Sequence, residues 1–475
     1  MVPKYMPSII KNISYSFLSN VVCCIVSILV TFFVPKSLGV ENYGYFQLYL
    51  FYINYTGFLH FGWADGVYLR YGGAYYKDLD KPMFATQFRL FVVMELVFSI
   101  ILCWWAYNFV EIAEKQIVYT LIGFSMMLAL PKTFLQYILQ GTNRIKEYAT
   151  LIMIERVVYG SLALLIVFAR KDSFSLIIGT DLAGKFVALL YAFYHCRDIV
   201  FGRLGSLKKA FADIVANIGV GIKLMLANVA CLLIIGIVRW SIEREWDVSV
   251  FGKISLTLSI SNLMMIFIRS VSMVLLPTLR RTDSSKYASI YSNLKTGFLV
   301  LIFAGLLIYY PLNAFLLYWL PDYADCLVYM AILFPLCLYE GKLSLLVETY
   351  LKTLRMEKML LISNVITLSL SCILTILFVF VCKNLTLTVL GILLIFSFRA
   401  FWGEFLLSRK IKMSFFKDGI LECILTVSFV LSAWFLNNFI GFFIYGVIYL
   451  IYVLIYKKSL CELTKMLKMN MTKRA

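Results

Sequence analysis

Hydrophobic residues along this chain fall into long uncharged runs separated by short polar segments. Residues 12–35, 296–321, 359–382 and 423–456 contain no Asp, Glu, Lys or Arg, and each holds the ~20 apolar residues that a helix needs to cross a bilayer. The last run is too long for one crossing and carries Asn437-Asn438 near its middle, so it predicts a helical hairpin. Marking spans by apolar runs and turn residues predicts fourteen helices, at approximately 12–34, 44–65, 88–109, 117–139, 149–169, 174–195, 214–238, 249–276, 295–318, 325–347, 359–381, 386–407, 419–436 and 439–456. The predicted fold class is an all-α integral membrane protein of about fourteen transmembrane helices.

Composition agrees. With 62% hydrophobic residues, 15% charged residues and a mean hydropathy of +0.86, an ordinary soluble domain is excluded. The net charge of +18 is topological and predicts no nucleic-acid partner. Segments assigned to the cytoplasm collect Arg70, Lys77, Lys81 and Arg89; Arg144 and Lys146; Arg197, Arg203, Lys208 and Lys209; Arg280, Arg281, Lys286 and Lys295; and the basic tail. The opposite loops collect only Lys36, Lys115, Arg170, Lys171, Arg239, Arg244 and Lys383. The positive-inside rule therefore puts both termini in the cytoplasm. The N-terminal apolar run ends in no small-residue cleavage pattern and reads as a retained first helix. The cysteines lie mostly inside spans without a CxxC, which predicts no disulfides.

The chain also repeats. A shift of 208 residues lays LSNVVC (18–23) on LANVAC (226–231) and YGYFQLYL (43–50) on FGKISLTL (251–258); a shift of 211 lays TNRIKE (142–147) on TLRMEK (353–358) and Arg144 on Arg355. The repeat unit is six helices. An even number preserves orientation, so the halves are expected to be parallel repeats, with substrate between them as in transporters. The expected divisions are a first lobe at 1–205, a second at 206–412, and two peripheral helices with a basic tail at 413–475.

Ionisable residues inside spans are functional candidates by default, because an arginine or lysine in hydrocarbon costs ~2.5 to above ~10 kcal/mol. Eight basic residues lie within or at the margins of spans: Lys132, Arg156, Lys185, Lys223, Lys253, Arg269, Lys342 and Arg399. Lys185 follows Asp181 by four residues on one helical face and reads as a structural pair. Arg156 beside Glu155, and Lys342 two residues from Glu340, must look to other helices, since neighbours in sequence diverge around the axis. Lys253 lies within snorkelling range of a surface, Lys223, a few turns from the inner surface, either snorkels or lines a cavity, and Arg399 near Glu404 reads as an anchor. Arg269 has no acid within four residues and sits roughly ten Å from the end of its span, so it is expected to line a cavity. The acids Asp65, Glu95, Glu155, Asp181, Glu340, Glu348 and Glu404 either bind a coupling cation or neutralise these bases. His60 and His195, the two histidines, have no metal-site or nucleophile–base spacing, and no phosphate-binding glycine loop occurs. No catalytic site, metal or cofactor is expected.

At this point the chain resembles the polysaccharide exporters of the multidrug/oligosaccharidyl-lipid/polysaccharide flippase superfamily, the O-antigen flippase group above all. The resemblance rests on SLGVENYGYFQL (37–48), LQGTNRIKEYA (139–149), LPTLRR (276–281), WLPDYA (319–324) and the helix count. It implies helices 1, 2, 7 and 8 around a cavity that opens alternately to each side of a bacterial inner membrane. The implied substrate is an undecaprenyl-pyrophosphate-linked oligosaccharide; the implied partners are the bilayer, a polysaccharide polymerase and chain-length proteins. An anionic headgroup wants a cationic cavity, for which Arg269, Lys223, Arg156 and Lys342 are the candidates, with Asp65, Glu340 and Asp181 as candidate coupling sites. A cation-coupled drug or metabolite antiporter of the same fold is the first alternative, although its cationic substrates would favour an acidic cavity. A membrane glycan polymerase or glycosyltransferase is disfavoured by the short outer loops, and a passive channel or scaffold by the parallel repeats.

Overall fold

The computed structural model describes residues 6–280, 287–411, 413, 416–436 and 438–457. Among these it is helix and turn without strands, as expected where no water is available to satisfy an open backbone. The helices are α1 (Met6–Thr56), α2 (Trp63–Arg70), α3 (Lys81–Phe109), α4 (Ala113–Gly141), α5 (Ile145–Phe168), α6 (Phe174–His195), α7 (Leu207–Glu245) and α8 (Val248–Arg280). They continue as α9 (Tyr287–Trp319), α10 (Met330–Thr353), α11 (Lys358–Val381), α12 (Leu385–Ile411), α13 (Phe416–Phe435) and α14 (Asn438–Ile455).

Thirteen of the described helices are long and apolar enough to cross a membrane. The first of these, Phe17–His60, is 44 residues long, about 66 Å at ~1.5 Å per residue, or twice the ~30 Å hydrocarbon thickness. It breaks at Gly39, whose φ of 69° and ψ of 177° suit a residue without a β-carbon. Two crossings therefore share α1, and the total of about fourteen expected from the apolar runs stands.

The second crossing departs from the continuous helix expected at 44–65. After Thr56 the chain tightens into a 3₁₀ turn over Gly57–His60, then turns left-handed at Phe61 (φ 50°) and Gly62 (φ 78°) before α2 begins. The span is thus a broken helix.

The chain forms two compact units divided between Leu232 and Leu233. That division lies inside α7, later than the loop boundary at 205/206, because the first half of α7 packs on α2 and α3. Each unit ends its fourth crossing in the same way. In the first unit Asn143 is left-handed (φ 58°), Asn143 N–H donates to Gln140 O, and Arg144 N–H donates to Leu139 O; in the second, Arg355 (φ 55°), Lys352 O, Met356 and Leu351 O repeat the pattern. This is a left-handed helix cap that satisfies the last carbonyls. The two caps stand 212 residues apart, so Asn143 rather than Arg144 answers Arg355; the same cap also closes α5 at Arg170 (φ 52°).

Candidate functional site

Most of the intramembrane cations are neutralised by neighbours that only the folded chain supplies. Lys132 pairs with Glu155 across α4 and α5. Lys185 pairs with Asp181, whose carboxylate also accepts from Tyr49 Oη at 2.6 Å. Lys253 meets Asp325 at 2.5 Å in an exposed pair. Arg399 donates to Asn364 Oδ1 at 2.9 Å and lies 3.7 Å from Glu348.

Lys342 corrects the expectation of a cavity cation. It is fully buried, with Nζ 2.8 Å from Glu404 and 2.5 Å from Glu422. Lys295 completes the cluster at 2.6 Å from Glu404, 3.3 Å from Glu422 and 3.4 Å from Asp418. Lys295 was expected to flank its span in the cytoplasm, but α9 starts two turns earlier, at Tyr287, and carries it inside. The cluster ties α9, α10, α12 and α13 together, so α13 is bound into the second unit by buried charge. Asp181, a candidate coupling site, is likewise closed off by Lys185 and Tyr49. Glu340 is half-buried on α10.

Arg156 and Lys223 are different. Both side chains are exposed, and neither is hydrogen-bonded or ion-paired among the described residues; Glu155 and Asp181 are the carboxylates in electrostatic range of Arg156. Arg156 stands eleven residues into α5, about 16 Å along a span of ~30 Å. Lys223 is sixteen residues into the 39-residue α7. The side chain of Arg269 lies outside the described residues.

The broken second crossing gathers a further group. His60 Nδ1 accepts from Gly62 N–H at 3.0 Å, which leaves its proton on Nε2, 3.8 Å from Asp65 Oδ2. Asp65 sits in the first turn of α2, where the helix dipole favours a carboxylate, and it accepts from Tyr137. Both His60 and Asp65 are buried. Below them α2 touches α7 backbone to backbone through Gly62, Gly66 and Gly221. A polar net then locks the crossing. Arg70 lies 2.8 Å from Asp213 Oδ1; Tyr71 Oη and Gln87 Nε2 donate to Asp213 Oδ2 at 2.9 and 2.8 Å; and Gln87 Oε1 accepts from Asn217 and from Trp63 at 3.1 Å each. Trp63 is therefore a buried member of this net.

Sequence reading missed Asp213, Asn217, Gln87 and Glu422. One available signal was Gly62-Trp63-Ala64-Asp65-Gly66, a GxxxG spacing that lets two membrane helices approach closely. Glu95 is fully buried on α3, and neither carboxylate oxygen has a hydrogen-bond partner among the described residues; the side chain of Ser99, one turn on, is buried and has none among them either. No cluster of three metal-ligating side chains occurs among the described residues.

Solved structures share this all-helical arrangement. The chain is similar to the lipid II flippase MurJ in an inward-closed conformation, with a TM-score of 0.66 and 15% identity over 94% of this chain and 99% of that one. It is also similar to an inward-facing multidrug resistance MATE family transporter of the MOP superfamily, with a TM-score of 0.57 and 12% identity over 82% and 96%. No protein-family model and no curated protein matches the sequence. At 12–15% identity these likenesses show a shared fold, the one that the resemblance carried by the sequence motifs implies.

Proposed function

We propose that this protein is a flippase that carries an undecaprenyl-pyrophosphate-linked oligosaccharide, such as an O-antigen repeat unit, from the cytoplasmic to the outer leaflet of a bacterial inner membrane by alternating access. One observation carries the proposal: Arg156 and Lys223 are exposed and unpaired in mid-span, where contact with lipid would cost each of them several kcal/mol. Such cations belong on a water-filled path. A guanidinium and an ammonium on that path suit a pyrophosphate, since arginine binds phosphate oxygens bidentately. Arg269 on α8 is a further proposed substrate contact. The lipid tail stays in the bilayer while the headgroup crosses.

Asp65 and Glu95, buried acids with no lysine or arginine partner among the described residues, are the proposed coupling groups. Both termini are assigned to the cytoplasm, and a polymerase with chain-length proteins would receive the product outside. The same-fold alternative, a cation-coupled drug or metabolite antiporter, needs an acidic path, which two unpaired cations oppose.

The test is gene deletion followed by leaflet-resolved measurement of lipid-linked glycan. Accumulation on the cytoplasmic leaflet with loss of surface glycan supports the flippase; normal surface glycan with no accumulation sinks it.

A further inference from the structure

One cavity of the first unit has no role in the charge arrangement above. It encloses about 610 Å³ where the segment after α2 meets the turn after α4, within the ~300–1,000 Å³ of small-ligand clefts. Tyr68, Tyr75, Gln140 and Asn143 line it, and Gly72-Gly73 form part of its wall. No lining residue is charged. Tyr75 is 72% exposed, its ring unstacked; the Gln140 amide is hydrogen-bonded to nothing among the described residues. At Gly73 (φ 94°) a β-carbon would meet nothing within 4 Å, so the backbone there is open to a ligand. The wall is held in place by Gly73 N–H donating to Gly141 O at 2.9 Å.

We propose that this cavity is a saccharide subsite, which takes one neutral pyranose of the transported headgroup; the assignment rests on the flippase reading above. A pyranose has a face of weakly positive C–H groups, which lies well on the negative face of a tyrosine ring, and a rim of hydroxyls, which wants amides able both to donate and to accept. The cavity offers both chemistries. It lacks the cation that a phosphate would need, and its amide groups make it a poor seat for an acyl chain. It also reaches the broken helix: the Tyr68 ring lies 5.8 Å from the Tyr137 ring, and Tyr137 donates to Asp65. A bound sugar therefore touches Tyr68, two contacts from a proposed coupling group.

The test uses the full chain in lipid nanodiscs and saturation-transfer NMR with methyl glycosides of glucose, galactose, mannose, rhamnose, N-acetylglucosamine and N-acetylgalactosamine. At least one glycoside should receive saturation on one ring face. Tyr75→Ala and Gln140→Ala should each weaken that binding by about two- to tenfold, the range of a lost aromatic contact of ~0.5–1.5 kcal/mol, and Ala74→Trp should block it by filling the cavity. No transfer to any glycoside overturns the subsite, as does transfer unchanged in all three variants, or preference for a sugar phosphate over the neutral glycoside. Sugar-free undecaprenyl pyrophosphate separates the two proposals. It should bind the Tyr75→Ala variant as it binds the unaltered protein; glycoside binding without any pyrophosphate binding would keep the subsite and reject the flippase.

Discussion

Gly221 packs directly on Gly62: a β-carbon on Gly221 would stand 1.9 Å from the Gly62 carbonyl oxygen. The contact is reciprocal along the crossing, since a β-carbon on Gly66 would stand 1.9 Å from Asn217 O. Glycine is required here for space, and at Gly62 also for its left-handed φ of 78°. The Arg70–Asp213 ion pair and the Gln87–Asn217 hydrogen bond depend on this approach, because neither can span a wider gap. Gly221→Ala and Gly66→Ala should therefore each lower the melting temperature in detergent, by the ~1–3 kcal/mol of an overpacked contact or more. Melting unchanged in both would mean that α2 and α7 do not meet this closely in the membrane.

Arg156 and Lys223 yield a functional prediction that stability does not confound. Both are exposed, so truncation removes no buried partner. Arg156→Ala and Lys223→Ala should leave the protein folded and in the membrane while reducing glycan export at least tenfold, the effect of losing one charge-assisted hydrogen bond of roughly 1.5 kcal/mol or more. Arg156→Lys should be intermediate, because an ammonium keeps the charge without the bidentate fork. Arg269→Ala is expected to behave likewise. Lys253→Ala, which breaks only an exposed pair with Asp325, is the control and should export normally. Full export by both alanine variants would remove the cationic path.

The buried cluster yields the opposite pattern. Lys342→Met leaves Glu404 and Glu422, both fully buried, with Lys295 as their shared cation, and should cost about 3–5 kcal/mol of stability, the usual penalty for stranding a buried charge. Adding Glu422→Gln to Lys342→Met should recover part of the loss, because one lysine then faces Glu404 with an amide beside it. Thermal unfolding of the single and double variants measures this; a double variant less stable than the single by the sum of two independent losses would show that the four side chains do not act as a unit.

How much of this was legible beforehand follows from the solvent. Lipid obliges the backbone to be helical, so fourteen apolar runs translate directly into crossings, and the last run divides as expected, α13 ending at Phe435 and α14 beginning at Asn438, with Asn437 outside the described residues. Contacts within one helix were legible too, as with Asp181 and Lys185 four residues apart. Partners across helices were not: nothing in sequence joins Lys295 to Glu404, 109 positions away, or Arg70 to Asp213. Distance along the chain hides such pairs, while a cavity wall such as Gly72-Gly73 looks like any loop. The break at Gly57–Gly62 was half legible, because its glycines were visible but the left-handed turn at Phe61 and Gly62 depends on α7 lying against Gly62.

Glu95 provides the last prediction, and it separates a structural cost from a functional gain. A carboxyl group that is fully buried with neither oxygen bonded destabilises the fold by roughly 1–3 kcal/mol relative to an apolar side chain of similar size. Glu95→Leu should therefore raise the melting temperature. A protein keeps such a group for what it does, and the proposed role is to take up and release a coupling cation as the carrier cycles. Glu95→Gln preserves the shape and the hydrogen-bonding capacity but cannot carry the charge, so it should export poorly and lose dependence on the cation gradient. Measured together in reconstituted vesicles, the two variants decide the matter: a stabilised Glu95→Leu with gradient-dependent transport intact in Glu95→Gln would leave the carboxylate a structural defect and move the coupling role to Asp65 alone.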